Sequence, residues 1–557
     1  MGLLDPKPTP YDGVEWCKLP FAQRGAMVCD AWAMDGYGTP VAAYAFYALK
    51  MALYVAGWAG FCSLSPSLGS IGEIGSWWLE PLAFQKAVLW SLVFEGTGFG
   101  CGSGPLTGRY LPPIGGVLYW LRPGTTKLPL FAKVPVIGGA RRSWLDVGVY
   151  AALHGTALYA LWLPGLDTTL AALIVGLACV LGVLDRTAFL ALRPEHYVVI
   201  LACFVLPGNA FAGAQVVTLA LWFWAGFSKL NSHFPYVACV MTSNSPITRF
   251  AWMRRLVYRD YPRDLRPSPL ARLMAHAGTA MELGVPTLFV LSSVQHGEAA
   301  HTTLIVAMVA MLVLHGYILS NVPMGVPLEW NAMVVYSAFA LFWARPGLAP
   351  IEAFSSTTAG ALLFAASIAL PLAGNIWPSR ISFLLAMRYY AGNWPYSVWL
   401  FRGESHRKLE RLTTTAPWVY DQLGYFYDEQ TSRALVGKVL GFRLMHLHGR
   451  ILRHLIPRAV DCFEDYEYLD GEIIGGLVLG WNFGDGHLHR EALLEKVQAQ
   501  CEFEEGELRC IFVGAQGLGS KTLPFRIVDA KSGELERGEV AVAELHERQA
   551  WEACDAD

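Results

Sequence analysis

Three ionisable side chains stand inside long apolar runs of this chain, and their types suit proton transfer. The first is Lys229, which ends the aromatic run Trp222-Phe223-Trp224-Ala225-Gly226-Phe227-Ser228-Lys229-Leu230-Asn231. An ionisable group at membrane depth costs about 2.5–3.5 kcal/mol even on lenient insertion scales, so its presence points to function. A lysine in a low-dielectric site gives up its charge readily and can then act as a base, provided it reaches a substrate proton. The alternative is a lysine at a helix end whose ammonium snorkels to the interface. The second is Glu282, at the end of His276-Ala277-Gly278-Thr279-Ala280-Met281-Glu282. Thr279 and Glu282 are three apart and share a helix face. Gly278 and Ala280 permit close approach of another helix. Glu282 is a proton carrier, a partner for Lys229, or a structural polar contact between helices. The third is His315, followed by Asn321 and Pro323. It is either a relay that titrates near neutral pH or a satisfied interhelical histidine.

Other polar groups are weaker signals. Lys86, Glu95 and His154 also fall in apolar runs. His446, His448, His454, His487 and His489, with Asp485, form a histidine set in the C-terminal part. Two HxH pairs could present metal ligands if they converged. The first pair lies in a helical stretch, where i and i+2 do not share a face. The set is expected to form a basic, membrane-facing surface, with no metal. Gly514-Ala515-Gln516-Gly517-Leu518-Gly519 lacks the Lys-Ser/Thr of a phosphate loop and reads as a turn.

The elements that must position these groups are long and apolar. The chain has 557 residues, 54% hydrophobic and only 16% charged, where soluble domains carry about 25% charged residues. The deficit is confined to residues 41–375. The expected fold is an all-α polytopic membrane protein of about 8–10 transmembrane helices with a small C-terminal cytoplasmic α+β domain. Ten runs qualify as spans: Val41–Cys62, Leu82–Gly100, Leu145–Leu163, Thr168–Leu184, Tyr197–Leu206, Phe211–Ser228, Leu273–Leu291, Leu304–Ser320, Asn331–Trp343 and Ala359–Leu372. The fifth and ninth are short, which leaves eight as an option. Basic residues cluster in the loops around Arg109–Arg142 and Arg249–Arg266 and alternate with acidic or neutral loops. With ten spans, that pattern places both termini, and the C-terminal domain, on the cytoplasmic side.

Three regions follow: residues 1–40 as an N-terminal interfacial segment, 41–400 as the transmembrane domain, and 401–557 as a soluble domain. Trp16, Phe21 and Trp32 suit a helix lying on the membrane. The Pro- and Gly-rich loop Gly102–Lys127 reads as re-entrant or surface structure, anchored by Tyr119 and Trp120. Residues 389–399 read as interfacial. Helix is expected over 405–457, and strands over 472–481, 508–514, 525–528 and 539–542. A net charge of −3 gives no case for nucleic acid. The 11 cysteines contain no CxxC pair and read as small buried apolar residues. Partners are membrane lipids and a protein docking on the C-terminal domain.

Two resemblances add to this reading. Tyr54–Gly57, Trp77-Trp78-Leu79-Glu80-Pro81, Leu111-Pro112-Pro113, Leu118–Pro123, Arg388–Trp394 and Arg526–Ala530 resemble an uncharacterised mycobacterial and proteobacterial family of polytopic membrane proteins, over nearly the full length, which implies a bacterial inner membrane. More distantly, Ala225-Gly226-Phe227-Ser228-Lys229-Leu230 resembles the AG-x-x-KL motif of the HTTM superfamily, which includes the vitamin K-dependent γ-glutamyl carboxylases. His276–Leu283 resembles that superfamily's H-x-G-x-x-x-(D/E)-L helix, and His315 its later intramembrane histidine. The likeness spans about residues 211–340. It implies that Lys229 is the base that deprotonates a reduced quinone, with His315 and Glu282 assisting. The function expected is therefore an enzyme acting on a lipid-soluble substrate by quinone-linked oxidation or carboxylation-like chemistry. The alternative is a non-enzymatic lipid-binding, transport or membrane-assembly protein.

Overall fold

The computed structural model describes residues 2–100, 110, 115–321 and 327–552. All ten apolar runs are helical. We label the elements used below in chain order: α1 Phe21–Asp35, α2 Val41–Ser63, α3 Pro81–Gly96, α4 Trp144–Trp162, α5 Thr168–Leu184, α6 Pro194–Val205, α7 Ala210–Ser228, α8 Phe234–Asn244, α9 Pro269–Val294, α10 Gly297–Leu319, α11 Leu328–Ala338 and α12 Thr357–Ile376. Helix starts carry local signals. Ser143 and Asp146 form a capping box at α4, Asp167 caps α5, Asn209 caps α7, and Ser268 caps α9 just before Pro269.

Among the described residues, five helices are long and apolar enough to cross a membrane: α2, α7, α9, α10 and α12. The expectation of about 8–10 crossings differs from this in length rather than in helix type. At 1.5 Å per residue, the 17 residues of α5 reach about 25 Å, short of the ~30 Å hydrocarbon core. The outer face of α10 exposes Val306, Val309 and Val313. Apolar side chains turned outward on a spanning helix meet lipid tails without cost, so such a helix needs no amphipathic pattern.

The C-terminal part contains a five-stranded antiparallel sheet of β1 Tyr396–Arg402, β2 Tyr466–Asp470, β3 Leu508–Val513, β4 Thr522–Asp529 and β5 Gly533–Ala541, in the order β2-β1-β3-β4-β5. Trp399 pairs with Leu469 on one side and Cys510 on the other. Between these strands lie the helices α13 Glu429–Met445 and α14 Gly471–Leu479.

Several expectations are corrected here. Residues 472–481, read as a strand, form α14: Asp470 caps its start and Gly480, at φ +86°, ends it. A short apolar run fits either state, and these two cap residues decide it. Residues 389–399, read as interfacial, run into β1, which lies between β2 and β3 and whose Tyr396, Trp399 and Phe401 are fully buried. The N-terminal aromatics are packed within the protein. Trp16, Phe21 and Trp32 are buried, and α1 packs along α13. Gly437 and Gly441, one turn apart on α13, make room for Trp16 and Val28, since a Cβ would fall 2.7 Å and 2.9 Å from their side chains. Tyr119 and Trp120 are likewise buried, and the Tyr119 hydroxyl donates to the Leu477 carbonyl at 2.6 Å. Much of the Gly102–Lys127 loop, with Cys101, lies outside the described residues. Cys62, Cys203 and Cys239 are buried as small apolar residues, whereas Cys179 is exposed.

Candidate functional site

Lys229, Glu282 and His315 line one cavity. Lys229 is the C-cap of α7, Glu282 sits midway along α9, and His315 lies in the last turns of α10. α7 and α9 run antiparallel: Trp222 stacks on Phe289 with centroids 5.5 Å apart, while Gly226 meets Glu282 and Leu283. α9 and α10 form a tight hairpin. The C-terminal end of α7, the first half of α9 and the C-terminal end of α10 therefore share one end of the bundle.

Gly226 explains the local sequence. A Cβ there would lie 2.9 Å from Leu283 and 3.0 Å from the Glu282 side chain. Only glycine lets α9 approach closely enough for the Lys229 ammonium to donate to Glu282 Oε1. Both side chains are almost completely buried. The other carboxylate oxygen, Glu282 Oε2, has no hydrogen-bond partner among the described residues. Pro286, four residues on, has no N–H to give to the Glu282 carbonyl. The Phe234 ring lies 5.3 Å from the ammonium.

His315 is held on both sides. The Trp222 indole Nε1–H donates to His315 Nε2 at 2.8 Å, and His315 Nδ1 lies 2.9 Å from Asn331 Oδ1. Asn331 Nδ2 donates in turn to the Pro327 carbonyl at 2.9 Å, which turns its oxygen toward the ring. Indole is a donor only, so Nε2 carries a lone pair and Nδ1 carries the proton.

The cavity measures about 250 Å³ and is chiefly apolar, with Leu221, Phe234, Met241 and Leu314 in its wall. The spans form one side. The other side comes from the C-terminal part: Phe442 of α13, Glu472 of α14, Asn482 and Phe483. Arg193, Arg388, Tyr389, Tyr390 and Trp394 join from the connecting segments. Glu472 accepts from Arg443 Nη2 at 3.1 Å, and Arg443 is also paired with Asp470 at 2.9 Å. Burial, opposed by Arg443, pushes the Glu472 carboxyl up to about 7.

The remaining sequence-derived residues lie elsewhere. His276, the first position of the α9 motif, faces outward. Thr279 donates to the Ala275 carbonyl at 3.0 Å and is not in the wall. Lys86 clasps the ends of α2 and α4 through the carbonyls of Phe61 and Leu161. The C-terminal histidines are not a surface set. His446 and His448 are fully buried with rings 5.6 Å apart, packed around Trp394. Burial holds His446 down at about 3 and His448 well below the usual histidine range. Among the described residues, no group of three or more His, Cys, Asp or Glu side chains could hold a metal ion.

Sequence reasoning missed Arg388, Glu472, Asn331 and the donor role of Trp222. It also missed the buried pair of Lys50 with Glu329, 2.7 Å apart. Lys50 interrupts the run Val41–Cys62 as plainly as Lys229 ends its own, so that signal was present. Arg388 and Glu472 sit in segments of mixed polarity, where a charge raises no alarm.

Fold and site together define a helical integral membrane protein with an apolar cavity at one end of its bundle, walled partly by its C-terminal region. The chain belongs to the family described as transmembrane protein of unknown function (DUF3556), whose profile matches residues 1–557. No curated protein and no solved structure matches it.

Proposed function

We propose that this protein is a membrane enzyme acting on a lipid-soluble molecule, with Lys229 as the base and Glu282 as its proton partner. The observation that carries the reading is the meeting of these two residues in one apolar cavity. An ammonium cannot act as a base. When its proton passes to Glu282, the pair becomes a neutral amine beside a neutral acid, and a low-dielectric site penalises that form least. The amine then takes the proton of an acidic hydroxyl on the bound molecule. The ammonium is restored, and an oxyanion is left beside it. The resemblance of Ala225–Leu230 to the AG-x-x-KL motif of the HTTM superfamily supports this role and points to a reduced quinone as the molecule deprotonated. Its oxyanion is the species from which quinone-linked oxidation or carboxylation starts. His315 assists by fixing Trp222 and Asn331 rather than by moving protons.

In the same reading the cavity end faces the cytoplasm of a bacterial inner membrane. Arg249, Arg255, Arg259 and Arg263 are exposed in the segment that connects α8 to α9 at that end, in keeping with the positive-inside rule. The test is the lipid extract of protein purified from its native membrane, together with turnover of a reduced quinone by Lys229→Ala. A co-purifying quinone or isoprenoid and loss of turnover in a folded variant are expected. The second reading is a non-enzymatic lipid-binding, transport or assembly protein. The two-sided hold on His315 favours it, because helix packing alone accounts for that contact. Only bulk phospholipid in the extract and no turnover by the wild type would establish that reading instead.

A further inference from the structure

The charges of the cavity wall do not cancel locally. Its cations among the described residues are Arg193, Lys229 and Arg388, and its carboxylates are Glu282 and Glu472. Lys229 takes Glu282, and Arg443, from behind the wall, takes Glu472. Arg193 has its own partner in Glu195, at 2.9 Å. Arg388 has no carboxylate within ion-pair distance among the described residues. Its hydrogen bonds go to neutral oxygens: Nη2 donates to the Asn393 carbonyl at 2.8 Å, and Nη1 to Asn375 Oδ1 at 3.3 Å and the Gly374 carbonyl at 3.4 Å.

Arg388 is only 5% exposed. Burial draws its guanidinium down to about 10, which leaves it charged at neutral pH. A buried cation without a counter-charge is costly, and neutral acceptors offset only part of that cost. The backbone around it is held in an unusual form. Met387 and Tyr390 are non-glycine residues at φ +52° and +53°. Such conformations persist where the surroundings over-determine them, and they cluster at ligand sites. A guanidinium suits a carboxylate or a phosphate, which it can bind through two parallel hydrogen bonds. The aromatic wall beside it, with Phe383, Tyr390 and Trp394, suits hydrocarbon.

We infer that Arg388 marks an anion subsite in this cavity, which takes the carboxylate or phosphate head of a molecule with an apolar chain. The inference rests on the reading that the cavity holds a lipid-soluble molecule, but not on Lys229 being a base. It gives the C-terminal region a part in recognition, because the segment that carries Arg388 leads into β1 and is fixed by its hydrogen bonds to the β3–β4 loop. Asn393 Nδ2 donates to the Gln516 carbonyl at 2.8 Å, and the Gln516 N–H donates back to Asn393 Oδ1 at 2.8 Å.

The test is binding in an uncharged detergent, read by tryptophan fluorescence and native mass spectrometry. The probes are oleate, oleoyl lysophosphatidate and oleyl alcohol. Both anions are expected to bind the wild type about tenfold or more tighter than the alcohol, as a buried charge-assisted contact requires. The tighter of the two identifies the head group. Arg388→Gln is expected to bind all three alike, and Arg388→Lys to keep part of the preference. The double variant Lys229→Met, Glu282→Leu is expected to keep all of it, which assigns the preference to Arg388 even if Arg388→Gln does not fold. Equal binding of the alcohol by the wild type, or an undiminished preference in folded Arg388→Gln, overturns the inference. So does loss of the preference in the double variant. An intact preference beside absent quinone turnover would remove the enzyme reading and leave this one standing.

Discussion

The Trp222 indole donates to Nε2 of His315 at 2.8 Å, and this contact fixes the state of the histidine. With Nε2 accepting and Nδ1 committed to Asn331, neither ring nitrogen is free to exchange a proton with a ligand. Trp222→Phe and His315→Ala are each expected to lower stability by about 1–3 kcal/mol, the usual cost of a buried polar group left unpaired. The two changes together should cost less than their sum. A double-mutant cycle by chemical unfolding in detergent measures this. Full additivity would show that the two side chains do not interact.

Removal of Lys229 alone strands a buried carboxylate. Lys229→Ala is therefore expected to destabilise the protein by about 3–5 kcal/mol, whereas Lys229→Met with Glu282→Leu should recover most of that loss. The recovered double variant is the clean test of chemistry, because it is folded and lacks the base. Quinone turnover that persists in it would exclude Lys229 as the base.

Gly226 is a packing requirement with a functional consequence. Gly226→Ala places a methyl 2.9 Å from Leu283 and 3.0 Å from the Glu282 side chain. The expected cost is about 1–3 kcal/mol for overpacking. The variant should also loosen the Lys229–Glu282 contact, seen as faster hydrogen exchange at the start of α9 than at its end. Unchanged stability and exchange would mean that α7 and α9 can part without consequence.

Glu472 predicts a pH dependence with a definite sign. One arginine, Arg443, serves two carboxylates, Asp470 and Glu472. Burial, with Asp470 close by and Arg443 only partly opposing it, pushes the Glu472 carboxyl up to about 7 in the folded protein, against 4.5 for the free group. The folded state binds more protons in that interval, so the contribution of Glu472 to stability falls as pH rises from about 4.5 to about 7. Buried neutral His446 acts in the opposite sense. It is held at about 3 against 6.5 unfolded, so its contribution is lost as pH falls below 6.5. The measurable quantity is the stability difference between Glu472→Gln and wild type, which should move in favour of the variant from pH 5 to pH 7.5. A flat difference would place the proton elsewhere.

The sequence by itself determined the elements of the bundle. An apolar run that crosses lipid has to satisfy its backbone internally, which makes it a helix whatever its neighbours do, and the shorter apolar runs are helices as well. It also singled out Lys229, Glu282 and His315, because a charge or an imidazole is conspicuous in an apolar run. It failed where composition is mixed. The short apolar run at 472–479 fits helix or strand, and only the caps Asp470 and Gly480 separate them. The aromatics Trp16, Trp32, Tyr119 and Trp120 look alike whether they face lipid headgroups or a protein core. Only the tertiary structure decided that they pack inward, that Trp222 and Asn331 hold His315, and that Arg388 and Glu472 complete the cavity. Those partners lie up to hundreds of residues apart, and their meeting depends on close packing of helices and sheet, which no local pattern of residues encodes.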